Sequence, residues 1–348
     1  MNKKIKLISA LFKRDPENNS VIRVFFDLIK WLVLNQGKLY YFYVFGLYKK
    51  GSKMDDYIYH PQFVKIRKQL DTAYFYPLLE DKFIFDTFLK GLNFPTPEVV
   101  GMIENYELFL HGSNSKKPLD EILKHEMDVY CKLVYSWGGK NVFRLQVENG
   151  TLKMNGEITS VEQFKKQVTG GKYILQDTIE QHDELNRMNP WCANTLRVIT
   201  LTNGREPSVL AAILRIGINQ NFVDNASGGN LQSGVGMDNK LNFKGSQWGY
   251  PPRFYSHHPD SGIPIVGFEV PYMDEVRDLC INLHRNLNYF FVISWDIAIT
   301  NTGPVVIEGN PVPDIMPMQM QSKGFKSVIM KYADEFRDYK VTFDTGAQ

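Results

Sequence analysis

The sequence predicts an α+β protein of two lobes behind a helical N-terminal region, and three observations carry that prediction. Residues 1–75 show helical patterning with few strand signals, whereas from Tyr74 onward β-rich runs mix with helical ones. A Gly-rich turn separates two early strands. Two long hairpins with short turns then follow in the C-terminal half, which places ligand chemistry between lobes rather than on one flat surface.

Composition sets the frame. The 348 residues are 43% hydrophobic and 22% charged, as in an ordinary globular chain with more than one core. A formal net charge of +2 gives no general polyanion signal, so nucleic acid is not expected as a partner. Cys131, Cys192 and Cys280 are odd in number, widely spaced and free of any CxxC pattern. That usage fits a reducing compartment and argues against a thiolate zinc site. The N-terminus is basic and only briefly apolar, without the long apolar region of an export signal, so a cytoplasmic protein is expected.

Taken in order, residues 21–48 are rich in aromatics but interrupted by Arg23, Asp27, Lys30 and Asn35-Gln36-Gly37-Lys38, so no run reaches the roughly 18 apolar residues needed to span a bilayer. Two readings stand for these helices: packed on the main domain or at a dimer interface, or lying peripherally on the anionic inner face of a membrane. Residues 78–89 form the next helix, stopped by Gly91 and Asn93-Phe94-Pro95-Thr96-Pro97. Strands at 127–135 and 142–147 bracket the turn Ser136-Trp137-Gly138-Gly139-Lys140-Asn141; a helix at 161–168 and a strand at 172–179 follow. Asn203-Gly204 joins strands 195–202 and 208–218 into a hairpin. The Gly- and Asn-rich stretch 219–249 is too long for a simple connector and is therefore functional or mobile. An amphipathic helix spans 273–287, strands 294–300 and 304–310 form the last hairpin, and a helix covers 324–338. The expected organisation is a helical region 1–75 and a catalytic region 76–348, the latter with a smaller lobe at about 120–180 and a larger one at about 190–340.

The last hairpin is the most informative stretch. A three-residue loop, Asn301-Thr302-Gly303, sets Thr300 against Pro304 and hence Asp296 against Glu308. Like charges directly opposite are destabilising. Alternation puts Asp296, Glu308 and Asn310 on one face, three oxygen ligands of the kind a Mg²⁺ ion bridged to phosphates requires. The bland alternative is a surface hairpin with a polar outer face. Lys132 sits mid-strand before Gly138-Gly139, a plausible phosphate clamp or simply a hairpin turn; it is not a P-loop, since GxxxxGK[ST] is absent. Arg197 and Arg215, each in an apolar strand, call for an anion or a structural ion pair. Asp177, Glu180, His182, Asp183 and Glu184 cluster after a strand, placed for a ribose or adenine, or as a solvated helix start. No Gly-x-Ser-x-Gly and no paired Cys and His appear, and the adjacent His257 and His258 point apart on an extended chain, so zinc is not indicated.

The order of these pieces, strand lysine, Gly-rich turn, acidic hinge, paired strand arginines, then Asp-x(11)-Glu-x-Asn, resembles the ATP-grasp superfamily. Asn194-Thr195-Leu196-Arg197, His258-Pro259-Asp260-Ser261-Gly262, and Trp295-Asp296-Ile297-Ala298 through Glu308-Gly309-Asn310 resemble more narrowly the sugar-transfer-associated ATP-grasp family, from Leu78 to the C-terminal helix. The resemblance implies an ATP-grasp fold with ATP between two α+β lobes. Lys132 would touch a phosphate, and the turn containing Ser136, Gly138 and Gly139 would close over the phosphates. Gln176, Asp177 and Ile179 would hold adenine, and His182 or Asp183 would lie near the ribose. Asp296, Glu308 and Asn310 would hold Mg²⁺, Arg215 would face the γ-phosphate, and Arg197 would address a carboxylate substrate. The hinge departs from the superfamily in reading Gln176-Asp177-Thr178-Ile179, where a glutamate is more usual.

The implied activity is a carboxylate-amine ligase working through an acylphosphate, in cell-surface polysaccharide or glycoconjugate biosynthesis, with a small-molecule or sugar-linked carboxylate and an amine as substrates. The competing readings are a kinase phosphorylating a sugar or polyol, and a non-catalytic nucleotide-binding scaffold docked on glycosyltransferases or membrane through the N-terminal helices. The stretch around Asn225, Gly228 and Gly229 is the expected substrate loop.

Overall fold

The computed structural model describes residues 3–13, 15–113, 115–136, 141–321 and 324–345. The N-terminal part is α1 (Lys3–Leu11), α2 (Val21–Leu34), α3 (Leu39–Val44) and α4 (His60–Leu70), followed by α5 (Pro77–Glu80) and α6 (Lys82–Gly91). The single helix expected over 78–89 is two helices. Asp81 interrupts it with extended backbone, and its carboxylate accepts the Phe83 and Ile84 N–H groups at 2.9 Å, capping α6.

Two antiparallel sheets then form. The first contains β1 (Val99–Glu104), β2 (Glu107–Leu110), β3 (Lys117–Pro118), β4 (Met127–Leu133), β5 (Val142–Glu148), β6 (Thr151–Met154), β7 (Glu157–Ile158) and, after α7 (Val161–Gln167), β8 (Lys172–Asp177), in the order β3-β2-β1-β8-β4-β5-β6-β7. One face of it buries Ile103, Val129, Leu145 and Leu175 beneath Phe164 of α7 and Leu119. After α8 (Asp183–Met188) comes the second sheet: β9 (Leu196–Thr202), β10 (Pro207–Ile216), β11 (Leu231–Gly234), β12 (Gly245–Gln247), β13 (Arg253–Tyr255) and, beyond α9 (Met273–Arg285), β14 (Val292–Thr300) and β15 (Gly303–Asn310), in the order β13-β12-β11-β10-β9-β14-β15. The chain ends with α10 (Met316–Gln319) and α11 (Lys326–Thr345). The stretch 219–249 thus contributes strands β11 and β12 rather than standing free.

Period-two alternation decides what the second sheet shows to each side. Leu196 and Val198 of β9, with Ile293, Trp295, Ile297 and Ile299 of β14, face Val276, Cys280 and Leu283 of α9. The opposite face carries Arg197 and Asp296 at one end. At its other end Ile199, Leu201 and Val292 join Trp31, Phe42, Phe63 and Ile329 in a separate core. The N-terminal helices are therefore built into the sheet's packing. Trp31 donates its indole N–H to the Lys38 carbonyl at 3.0 Å, the buried Gln319 side chain pairs with both backbone groups of Ile58 at 3.0 and 3.2 Å, and Asp71 accepts the Phe291 N–H at 2.8 Å.

Candidate functional site

A cavity of about 730 Å³ lies between the two sheets, lined by Lys132, Arg144 and Asp177 from the first and by Arg197, Arg215, Asp296, Glu308 and Asn310 from the second. Its floor is the β14–β15 hairpin. Thr300 pairs with Gly303, not with Pro304 as the three-residue loop predicts, because Gly303 adopts φ 127° and leaves a two-residue turn. A bulge between Asp296 and Ile297 restores the missing residue, so Asp296 does face Glu308. Gly309, between Glu308 and Asn310, passes so close under α5 and α6 that a Cβ would stand 2.9 Å from Leu79 Cδ2 and 3.1 Å from Trp295 Cζ3. Any larger residue would have to push Leu79, Trp295 and Phe85 aside.

The facing carboxylates are separated electrostatically by cations. Asp296 also faces Arg197 on β9, whose Nε and terminal nitrogen donate to its two oxygens at 2.9 Å each; Arg215 adds a third contact at 2.6 Å. Burial favours the neutral carboxyl, but the charges and hydrogen bonds of the two arginines outweigh it and hold the group down at about 2. Arg215 is itself buried. Its Nε donates to Thr195 Oγ1 at 3.0 Å and stands 3.7 Å from Asp224, and although desolvation works against its charge, Asp296 and Asp224 push its pKa upward. Asp224, held by the Thr195 N–H at 2.7 Å and by the Thr195 hydroxyl, is raised by desolvation despite these partners. Glu308 finds Lys82 at 3.5 Å, and Lys82 also donates to the Ser136 carbonyl at 3.0 Å. Lys132 donates to Gln176 Oε1 at 2.9 Å; desolvation lowers its ammonium to about 8, against the pull of Glu308.

The other expected residues divide. Ser136, Asp177, Ile179 and Asn225 line the cavity, and Gln176 reaches it through Lys132. Gly138 and Gly139 lie outside the described residues. His182 and Asp183, expected at the ribose, are outside the lining. His182 Nδ1 caps α8 by accepting the Glu184 N–H at 3.1 Å, and Asp183 is tied through its N–H and its carboxylate to Asn301 at 3.1 and 3.2 Å. The cause is a reversal at the buried Gln181, which bonds the Asn189 and Cys192 carbonyls and turns the next residues toward the hairpin. Gly228 and Gly229 stand in a turn outside the lining, and buried Asn230 stitches that turn by donating to Val223 and Asn225 while accepting from Ile218 and Asn221.

Sequence reasoning missed Lys82, Asp224, and the Arg144–Asp128 pair, whose guanidinium forks onto the carboxylate at 2.7 and 2.5 Å. It also gave no role to two motif residues, Asn194 and His258. Both converge on Gly217: Asn194 Oδ1 accepts its N–H at 3.0 Å, and His258 Nε2–H donates to its carbonyl at 2.8 Å, with Nδ1 accepting from Ser261. Asp260 then accepts the Asn219 N–H at 2.7 Å. These motifs anchor the bend that delivers Asp224 to Arg215. Asp260 and Ser261, two and three residues after His258 in a Pro-Asp-Ser-Gly turn, were the available signal.

Among the described residues no three His, Cys, Asp or Glu side chains converge as a metal cage. The oxygen set of Asp296, Glu308 and Asn310 is the sparse kind that suits Mg²⁺ shared with phosphates, and the ionised Asp296 keeps one lone-pair direction beyond its three arginine contacts. The residues fit the ion in donor chemistry.

A family model described as sugar-transfer associated ATP-grasp matches residues 64–333. Among solved structures, the chain is similar to the ATP-grasp ligase PsnB complexed with precursor peptide PsnA2 and AMPPNP, at 10% identity and a TM-score of 0.42, covering 77% of this chain and 62% of that one. It is similar to N5-carboxyaminoimidazole ribonucleotide synthetase from Thermotoga maritima, at 12% identity and a TM-score of 0.39, covering 78% and 56%. D-alanine–D-alanine ligase from Bacillus anthracis matches at 12% identity and a TM-score of 0.42, covering 76% and 70%. The chain thus spans less than two thirds of the first two proteins' length. No curated protein sequence matches it.

Proposed function

The chain belongs to the sugar-transfer associated ATP-grasp family and has the ATP-grasp fold, and on that premise we propose that it is an ATP-dependent carboxylate-amine ligase serving cell-surface polysaccharide or glycoconjugate biosynthesis. The observation that carries this reading is the convergence of Lys132, Arg197 and Arg215 on the cavity that Asp296, Glu308 and Asn310 floor. Three cations suit a polyphosphate and a carboxylate together. Cys192, the cysteine in the lining, is buried with its thiol pushed up to about 12 by desolvation, so a thiolate nucleophile is not supplied.

In the proposed reaction a substrate carboxylate oxygen attacks the γ-phosphorus of ATP, the bond to ADP breaks, and an acylphosphate forms. An amine nitrogen then attacks the acyl carbon, phosphate leaves, and the amine loses its proton. Arg215, buried and fixed by Asp296 and Thr195, would face the transferred phosphoryl group. Arg197, more exposed, would orient the carboxylate, and Lys132 would hold ATP phosphate. Asp296, Glu308 and Asn310 would hold Mg²⁺, which when bound neutralises phosphate charge. Positioning and fixed charge supply the acceleration.

The test is ADP release from purified protein across carboxylate and amine pairs, with hydroxylamine as a trap. Release that needs both substrates, and a hydroxamate when hydroxylamine replaces the amine, supports the ligase. ADP formed with an alcohol acceptor and no amine overturns it in favour of a kinase.

A further inference from the structure

Helix α2 is apolar on two opposite faces. Val24, Leu28 and Trp31 are buried in the core. On the far side Ile22, Phe26, Ile29 and Val33, spaced four, three and four residues apart, form one stripe and are 72%, 65%, 45% and 75% exposed. Val21, Phe25 and Leu34 widen it, and Ile5 and Ile8 of α1 are exposed as well. A second apolar stripe on a helix calls for a cover of its own, yet among the described residues none covers this face. At 14 residues α2 is about 21 Å long, and among the described residues no helix is long and apolar enough to cross a membrane.

Charge selects the occupant. Residues 1–53 contain eleven Lys or Arg and three Asp or Glu, a net +8, so residues 54–348 carry −6 of the chain's +2. Arg23 and Lys30, seven residues apart and exposed, line one edge of the stripe, where Arg23 also pairs with Asp27 at 3.5 Å. An apolar face with cationic flanks lying in plane is what an anionic lipid surface binds, through shallow insertion of the apolar side chains and attraction to the headgroups. A second copy of this chain seated on the stripe would bring two +8 regions together, which like-charge repulsion opposes.

We propose that α2 docks the protein onto an anionic bilayer surface through Ile22, Phe26, Ile29 and Val33. The proposal does not depend on the reaction assigned to the cavity. Its test is co-sedimentation of the full chain with vesicles of phosphatidylcholine alone or with phosphatidylglycerol added. The full chain should sediment with the anionic vesicles and much less with the neutral ones, and high salt should weaken the attachment. Phe26→Ser with Val33→Ser, both at exposed positions, should lower partitioning about 10-fold or more while circular dichroism and thermal unfolding stay unchanged. Arg23→Glu with Lys30→Glu should reduce binding to anionic vesicles only. Absence of binding to anionic vesicles, or a serine variant that sediments like the parent, overturns the proposal. So does a self-associated parent that the serine variant converts to monomer without any lipid binding, since the stripe would then be covered by a second copy.

Discussion

Replacing Asp296 by asparagine is the sharpest test of how the cavity is wired, because it keeps the side chain's shape while removing its charge and one acceptor oxygen. In the parent, three guanidinium N–H groups from Arg197 and Arg215 end on this carboxylate. Lowering a buried carboxyl from its ordinary 3.8 to about 2 corresponds to about 2 kcal/mol of folding free energy at neutral pH, taking 1.36 kcal/mol per pH unit. Asparagine also turns an amide N–H₂ toward at least one guanidinium and leaves a buried arginine charge short of its partner, so the total loss should be about 3 kcal/mol. The sign with pH follows from the direction of the shift. A depressed carboxyl stabilises fully above its unfolded value, and that stability fades as pH falls through about 2, so the parent's advantage over Asp296→Asn should shrink by about 1 kcal/mol between pH 5 and pH 3. Urea unfolding of both proteins at several pH values measures this. In the same preparations, ADP release should fall by at least about 10²-fold at pH 7, where the variant is still folded. Equal stability of the two proteins, with no pH-dependent difference, would show that Asp296 is not the ionised hub described, and the arginine assignments would fall with it.

Lys132→Met should raise the KM for ATP about 10-fold or more. It should also abolish a loss of ATP affinity that sets in for the parent as pH rises through about 8, where the Lys132 charge is lost; titration of ATP binding from pH 6.5 to 9 reads both. Gly309→Ala should destabilise by about 1–3 kcal/mol in urea unfolding, because its Cβ would stand inside contact distance of Leu79 and Trp295, and an unchanged midpoint would contradict that crowding. Removing residues 1–50 should give an aggregated or partly unfolded protein, since Trp31 and Phe42 belong to the same buried core as Ile199 and Leu201 of the second sheet; a monomeric truncation with the parent's melting temperature would contradict this packing.

The side-chain arrangement of the hairpin was legible because it is local. Asp296, Glu308 and Asn310 lie within one turn of chain reversal, where alternation alone decides which residues share a face. Even there the register was reached by two compensating departures, a turn one residue shorter than its sequence suggests and a bulge beside Asp296. Arg197 and Arg215 were legible as charges in apolar strands that needed a partner, but the partner itself was hidden. Asp296 was expected at the metal, Arg215 at the γ-phosphate and Arg197 at a carboxylate, with a structural ion pair as the alternative for both arginines, and folding joins all three into one ion cluster. Residues that act across long separations were out of reach. Lys82 meets Glu308 only because Asp81 breaks the preceding helix, and Asp224 meets Arg215 only because the stretch 219–230 is pinned at both ends.

That pinning shows what the family-like motifs outside the hairpin do. In Asn194-Thr195-Leu196-Arg197, Thr195 and Arg197 both line the cavity, Thr195 also bonding Arg215 and Asp224, while Asn194 and Leu196 turn away. His258 and Asp260 never touch the cavity, yet they fix the backbone on both sides of Ile218. Gly217 has no room for a side chain there: a Cβ would stand 2.4 Å from Asn189 Nδ2 and 2.6 Å from Cys192 Sγ. A motif of this kind therefore specifies the position of a charge that lies elsewhere in the sequence. Disturbing His258 should act on catalysis through the Asp224–Arg215 contact, with Arg215 keeping its bond to Asp296 and losing its second anchor.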